Sequence, residues 1–274
     1  MKKAAANAWR RVLQTVSLTV GCVSGFSACD QPSPKCNVAH GAFAAKYTLE
    51  SGEGACAELH GEVLYLQSYY AQRSRQDNRP DLDKTSIAIA PGSIVDALAG
   101  AGDIQPGVED VPYALGVFTT KEPDDNTDCI APRLTAATLH LGPLPAADEC
   151  TEAPTYNLRY EFSHVRVRYS ASEIGTRFYA DLSYTDGDCT AKYRVTALYP
   201  AVACGQDPEE PPAEEPTEAV SDDDAGTPDP GAECPPSEPA PAAPVDETKC
   251  KDPNINPDYA VVCDPDVLMC VLKK

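Results

Sequence analysis

The chain has 274 residues, with 42 acidic against 22 basic side chains and a formal net charge of −20. That length suits one or two domains with a real hydrophobic core, and that charge repels nucleic acid and anionic headgroups. Nucleic-acid binding is thereby excluded, while cations, basic partners or plain solubility stay compatible.

Twelve cysteines are many for this length, and cytosolic proteins rarely keep so many outside metal or active sites. Beyond the N-terminal segment no two stand in C-x2-C or C-x4-C spacing, and His40, His60, His140 and His164 are scattered. A zinc site has no local signature, so the thiols are expected to form disulfides, with no metal and no cofactor.

Residues 1 to 11, MKKAAANAWRR, form a basic region, and Val12 to Ala28 form a modestly apolar stretch broken by Gln14, Thr15, Ser17 and Thr19. This is the plan of an export signal, too short and too polar for a spanning helix, which needs about 20 apolar residues. Phe26-Ser27-Ala28-Cys29 resembles the lipobox of bacterial lipoproteins cleaved by the type II signal peptidase, with Phe26 where that family usually has leucine. The resemblance implies thioether lipidation of Cys29, acylation of its new amino terminus, and attachment to a membrane through the lipid. Thr19-Val20-Gly21-Cys22 is a second, poorer match. Cleavage before Cys29 discards Cys22, assigns Cys29 to lipid and leaves ten cysteines for five bridges, whereas use of Cys22 leaves an odd thiol. Asp30 favours the inner membrane in enteric bacteria, but that rule does not transfer between bacterial groups. The outer membrane or cell surface is the expected location.

The mature chain divides by composition. Residues 29–35 read as a tether, and 36–204 are rich in β-branched and aromatic residues separated by turn signals, the pattern of an all-β domain. Candidate strands are 42–49, 59–70, 85–90, 112–119, 134–141, 156–169, 177–185 and 188–199, with a helical turn at Ser93 to Leu98. Asp186-Gly187 suits a type I′ hairpin turn, which pairs Phe178 with Val195, Ala180 with Tyr193, Leu182 with Ala191 and Tyr184 with Cys189. One face is then apolar and the other polar. In 156–169 the apolar alternation slips by one position near Ser163-His164, which predicts a bulge. The expected architecture is a two-layer antiparallel β-sandwich stabilised by disulfides.

Cysteines 36, 56, 129, 150, 189, 204, 234, 250, 263 and 270 are the disulfide candidates. A strand from Cys189 to Tyr199 travels about 33 Å, and the five residues to Cys204 return at most ~18 Å, so those two cannot pair. Cys189 is expected to join Cys129, Cys150 or another loop cysteine, and Cys36 to join Cys56.

Residues 205–248 hold 14 acids, 11 prolines and no base, the composition of a disordered, semi-rigid spacer. Residues 249–274 form a small cysteine-rich module in which Val267, Leu268, Met269, Val271 and Leu272 would pack on the main domain or on a partner. So short a unit needs bridges to fold.

The mature chain has no G-x-S-x-G, H-E-x-x-H, G-x-x-x-x-G-K-[ST] or G-x-G-x-x-G, which argues against an enzyme. Asp124, Asp125 and Asp128 could offer oxygens to Ca²⁺ without the spacing of an EF-hand loop. The run Asp252-x-Asn254-x-Asn256-x-Asp258 begins like such a loop, but Pro257 occupies its glycine position. The sole tryptophan, Trp9, leaves with the signal, so sugar stacking would rest on tyrosines such as Tyr65, Tyr69 and Tyr70, or Tyr156, Tyr160 and Tyr169. The leading expectation is a non-enzymatic lipid-anchored envelope protein, a structural or binding component with an envelope protein partner. The alternatives are a glycan- or Ca²⁺-binding module and a hydrolase without a recognisable motif. Nothing in the sequence fixes the oligomeric state.

Overall fold

The computed structural model describes residues 34–274 apart from 75, 78, 145–152, 171, 206–243 and 274. Strand alternation builds it. In β8 (Ile174–Asp186) Phe178, Ala180, Leu182 and Tyr184 point inward, and in β9 (Cys189–Leu198) Ala191, Tyr193, Val195 and Ala197 meet them. The hairpin pairs Asp186 with Cys189, so its turn centres on Gly187-Asp188 and Phe178 faces Ala197 rather than Val195. Gly187 has φ +57°, which a glycine adopts without strain. The register is displaced by two residues from the expected one, and a two-residue shift preserves which face each side chain occupies.

Seven further strands complete the sheet: β1 (His40–Ser51), β2 (Gly61–Gln72), β3 (Pro80–Pro91), β4 (Ala114–Val117), β5 (Asp128–Arg133), β6 (Ala137–Leu141) and β7 (Tyr156–Tyr169). They run in the order β4-β3-β2-β1-β9-β8-β7-β5, with β6 also on β7, and every pairing is antiparallel. The sheet's two ends meet: Gly116 bridges Leu134, Thr119 N–H donates to Ile130 O at 2.8 Å, and Thr135 N–H donates to Leu115 O at 2.8 Å. The fold is thus all-β and disulfide-stabilised as expected. Its two facing layers are the two halves of one sheet that curls until its edges join, which leaves few free strand edges.

β7 has the boundaries read from the sequence, and its register slips between Ser163 and Arg166, where His164 takes φ +49°. The core is filled by Phe43, Leu64, Ile87, Ile89, Leu139, Tyr160, Phe162, Phe178 and Tyr193. One helix, α1 (Gly92–Gly100), packs Ile94 and Ala97 into this core beside β2, β3 and β6.

The terminal module is a hairpin of β10 (Val261–Asp264) and β11 (Met269–Leu272). It packs on the sheet: Ile255, Cys263 and Cys270 share a buried cluster with Leu198 and Cys204, and Ala203 bridges Met269. Of the terminal apolar stripe, Met269 and Val271 are buried, and Val267 approaches Gly61 of β2. Gly205 bridges Val245, and Asp246 N–H donates to Cys204 O at 2.7 Å. The chain therefore leaves at 205 and returns at 245 to the same place, so the acidic segment does not hold the module at a distance. Residues 206–243 themselves lie outside the described residues.

Candidate functional site

The cysteines place the fixed points. Cys36 bridges Cys129, Cys56 bridges Cys189, Cys204 bridges Cys263 and Cys250 bridges Cys270, with Cα separations of 5.3 to 5.8 Å. Cys189 and Cys204 are unpaired with each other, as strand reach requires. The local pairing of Cys36 with Cys56 is overturned. Cys56 opens onto the end of β9, where Cys189 lies, whereas Cys36 sits beside β5, whose neighbour Lys121 accepts the Cys36 N–H at 2.9 Å. Cys263 and Cys270 face each other across β10 and β11 without bridging each other: Cys263 bridges Cys204 and ties the module to the chain leaving β9, while Cys270 bridges Cys250 within the module. Cys29, Cys150 and Cys234 lie outside the described residues.

Polar contacts reinforce the attachment. Lys46 of β1 pairs with Asp264, whose side chain is 4% exposed. Burial pushes the Asp264 carboxyl up, but the hydrogen bond from Lys46 and backbone donors hold it below the usual range overall. Tyr259 shares a 2.5 Å hydrogen bond with Thr176, and the Arg177 guanidinium lies 5.0 Å from the Tyr259 ring centroid.

At the α1 end of the core a carboxylate is enclosed. Glu62 Oε1 accepts from the Tyr47 hydroxyl at 2.9 Å, Oε2 accepts from the Ser93 N–H at 2.7 Å, and the Ser93 and Tyr160 hydroxyls lie 2.7 Å apart. Glu62 thus caps the first turn of a helix that has no cap of its own at Pro91. Burial dominates its titration and raises the Glu62 pKa despite the donors, and it drives Tyr47 and Tyr160 well above the ordinary tyrosine range. A carboxyl whose folded pKa is raised stabilises most below its unfolded value and loses that contribution as pH rises through the folded value. Glu62→Gln keeps an acceptor for Ser93 and offers Tyr47 a donor. Relative to wild type, this variant is expected to gain stability as pH rises above the ordinary carboxylate range, and to level off once Glu62 is fully ionised, in urea unfolding. A pH-independent difference would refute the enclosed charge.

Of the Ca²⁺ candidates Asp124, Asp125 and Asp128, the first and last are engaged within the protein. Asp124 Oδ1 accepts from the Asn126 and Asp128 N–H groups at 2.9 Å, and Asp128 pairs with Arg168 at 3.0 Å. Among the described residues, the one cluster of three potential metal ligands is Cys204, Cys250 and Cys263, which are in disulfides. In the run from Asp252, Asp252 accepts from Asn254 N–H at 2.7 Å and Asn256 from Asp258 N–H at 3.0 Å, the contacts of side-chain-closed turns. His164 pairs with Asp181 at 2.9 Å, and His140 pairs with Asp110 at 2.7 Å, where Asp110 also accepts the His140 and Gly107 N–H groups.

Depressions of about 550 and 300 Å³ involve the terminal module, and two more lie on the sheet alone. One, of about 510 Å³, crosses the outer face of β1 and β7 to β9 and mixes charges: Glu50, Arg133, Glu161, Asp181 and Lys192. The other, of about 380 Å³, lies on the outer face of β2 to β4, with Tyr65 and Tyr113 beside Ala88 and Ala90. Sequence reasoning singled out Tyr65 but missed Tyr113, which stands one residue before β4 and outside any run of tyrosines.

The model of the MlpA family matches residues 41–200, which spans the whole sheet. The chain belongs to the MlpA family. Among curated proteins it is similar to one from Myxococcus xanthus described as "Putative lipoprotein MlpA", with 26% identity over 209 residues, covering 74% of this chain and 82% of that one. No solved structure matches. The family match begins at Gly41 and ends at Pro200, so it covers the curled sheet and leaves the terminal module outside it.

Proposed function

We propose that this MlpA-family chain is an exported, lipid-anchored protein of the bacterial envelope, carried on Cys29 and acting by binding rather than by catalysis. The observation that carries this reading is the oxidised framework: eight cysteines stand in four bridges that span 20 to 133 residues of sequence. Such a framework belongs to an oxidising compartment. The lipobox at Phe26-Ser27-Ala28-Cys29 and the similarity to a Myxococcus xanthus protein named as a lipoprotein support the anchor. The outer membrane or cell surface is the proposed location and an envelope protein a proposed partner. The three carboxylates of the 510 Å³ depression, Glu50, Glu161 and Asp181, pair with Arg194, Arg159 and His164, which supports reading them as recognition groups.

Mass spectrometry of the membrane-fraction protein under non-reducing conditions tests this. The expected mature start is a doubly modified Cys29, thioether-linked to diacylglycerol and N-acylated, with the four described bridges intact and Cys150 and Cys234 carrying the fifth. A mature start elsewhere, or free thiols throughout, would overturn it.

A further inference from the structure

The outer face of β2, β3 and β4 differs from the rest of this acidic molecule. Around the groove its outward residues are Tyr65, Gln67 and Tyr69 on β2, Ser86, Ala88 and Ala90 on β3, and Leu115 and Val117 on β4, preceded by Tyr113 at the strand's entry. None of these is charged, although the chain carries −20; further along β3 the charges return with Lys84, which pairs with Asp81. The register explains the groove. Tyr65 pairs with Ala90, and Ala88 pairs with Leu115, so the next outward position beside Ala90 is Tyr113. Two tyrosines therefore flank an alanine strand, with backbones two strand spacings or roughly 9.6 Å apart. Both are exposed at 42%, large rings left in solvent where charged residues would have served solubility. The groove of about 380 Å³ falls in the size range of small-ligand sites, and Gln67 adds an amide at its rim.

We propose that this slot binds a neutral saccharide, one ring lying on the alanine floor between Tyr65 and Tyr113. Three features choose that occupant. Aromatic faces stack on the apolar face of a sugar ring, and tyrosine hydroxyls with the Gln67 amide supply hydrogen bonds to its hydroxyls. The uncharged lining of the groove suits an uncharged ligand. The negative field of the whole chain opposes anionic polymers. The inference rests on the reading of the chain as an exported binding protein and names its ligand class.

The test uses the full mature chain in affinity electrophoresis through gels containing neutral polysaccharides (laminarin, xyloglucan, hydroxyethylcellulose) or anionic ones (alginate, polygalacturonate). Retardation by at least one neutral polymer and none by the anionic ones is expected. Tyr65→Ala and Tyr113→Ala should each weaken it about tenfold with unchanged thermal midpoints, since both rings are half in solvent. Ala88→Tyr, which fills the slot, should abolish it. No retardation by any neutral polymer, retardation equal in the anionic gels, or binding untouched by these substitutions would overturn the proposal. So would a Tyr113-dependent dimer in sedimentation velocity, which would assign the face to a second copy. Because the anchor is read separately by the mass of the Cys29 peptide, loss of sugar binding leaves the lipoprotein reading standing or falling by itself.

Discussion

Replacing Cys56 and Cys189 together by alanine is expected to lower the unfolding free energy by about 5 kcal/mol in the loop-entropy model. This bridge closes 133 residues, the longest loop among the described bridges. It also holds a local structure: the turn Ala55–Ala57 sits on the end of the sheet, where the Tyr193 hydroxyl donates to Cys56 O and accepts the Leu59 N–H at 3.1 Å. Against a typical total of 5 to 15 kcal/mol for a domain, such a loss is a large fraction. The same model gives about 3 kcal/mol for removing Cys250 and Cys270, which close 20 residues. Urea unfolding of both double variants without reductant checks the order. Should the short-loop variant lose as much as the long-loop one, native contacts rather than unfolded-chain entropy would set the cost.

What could be read from the sequence follows from how local each determinant is. β7 was legible to the residue because Tyr156, Leu158, Tyr160 and Phe162 alternate without interruption, and the slip that follows is itself the signature of the bulge at His164. The β8–β9 hairpin was legible in its faces but not in its register, since turns centred on Asp186-Gly187 and on Gly187-Asp188 bury the same side chains. β5 was missed because Pro132 interrupts it; the strand survives because Pro132 falls where no pairing with β7 is made, while Ala131 and Arg133 on either side are paired. In β2 the inward set is Leu64, Leu66 and Ser68, and a buried serine in that row hides from a pattern search that Tyr65 and Tyr69 face out. Cysteine pairing and the meeting of Gly205 with Val245 depend on contacts across tens to more than a hundred residues, which no local spacing encodes. The slot on β2 to β4 needs the register of three strands and a tyrosine outside a strand, so its parts were visible singly and their juxtaposition was not.

Arg168→Leu is expected to cost about 3 to 5 kcal/mol at neutral pH, because it strands a buried carboxylate. Asp128 opens β5 with its side chain 8% exposed, and the Arg168 guanidinium lies 3.0 Å from it. The same arginine donates to Asn126 O at 2.9 Å and to Thr127 Oγ1 at 3.3 Å, closing the turn in which Thr127 takes φ +64°. Burial pushes the Asp128 carboxyl above its ordinary pKa even with Arg168 beside it, so the ion pair offsets the desolvation of the acid without exceeding it. The sign of the pH dependence follows. A carboxyl raised in the folded state contributes most below its unfolded pKa and loses that contribution as pH rises through the folded value. Without Arg168 the folded pKa climbs further, so the loss in the variant should be larger at pH 8 than at pH 4, where the acid is closer to neutral. Asp128→Asn added to Arg168→Leu should recover most of the loss at pH 8, because the amide carries no charge to bury. Urea unfolding of the two variants at both pH values decides it: equal losses at pH 4 and pH 8, or no recovery by Asp128→Asn, would mean that Arg168 acts through its backbone contacts to the turn and not through the charge of Asp128.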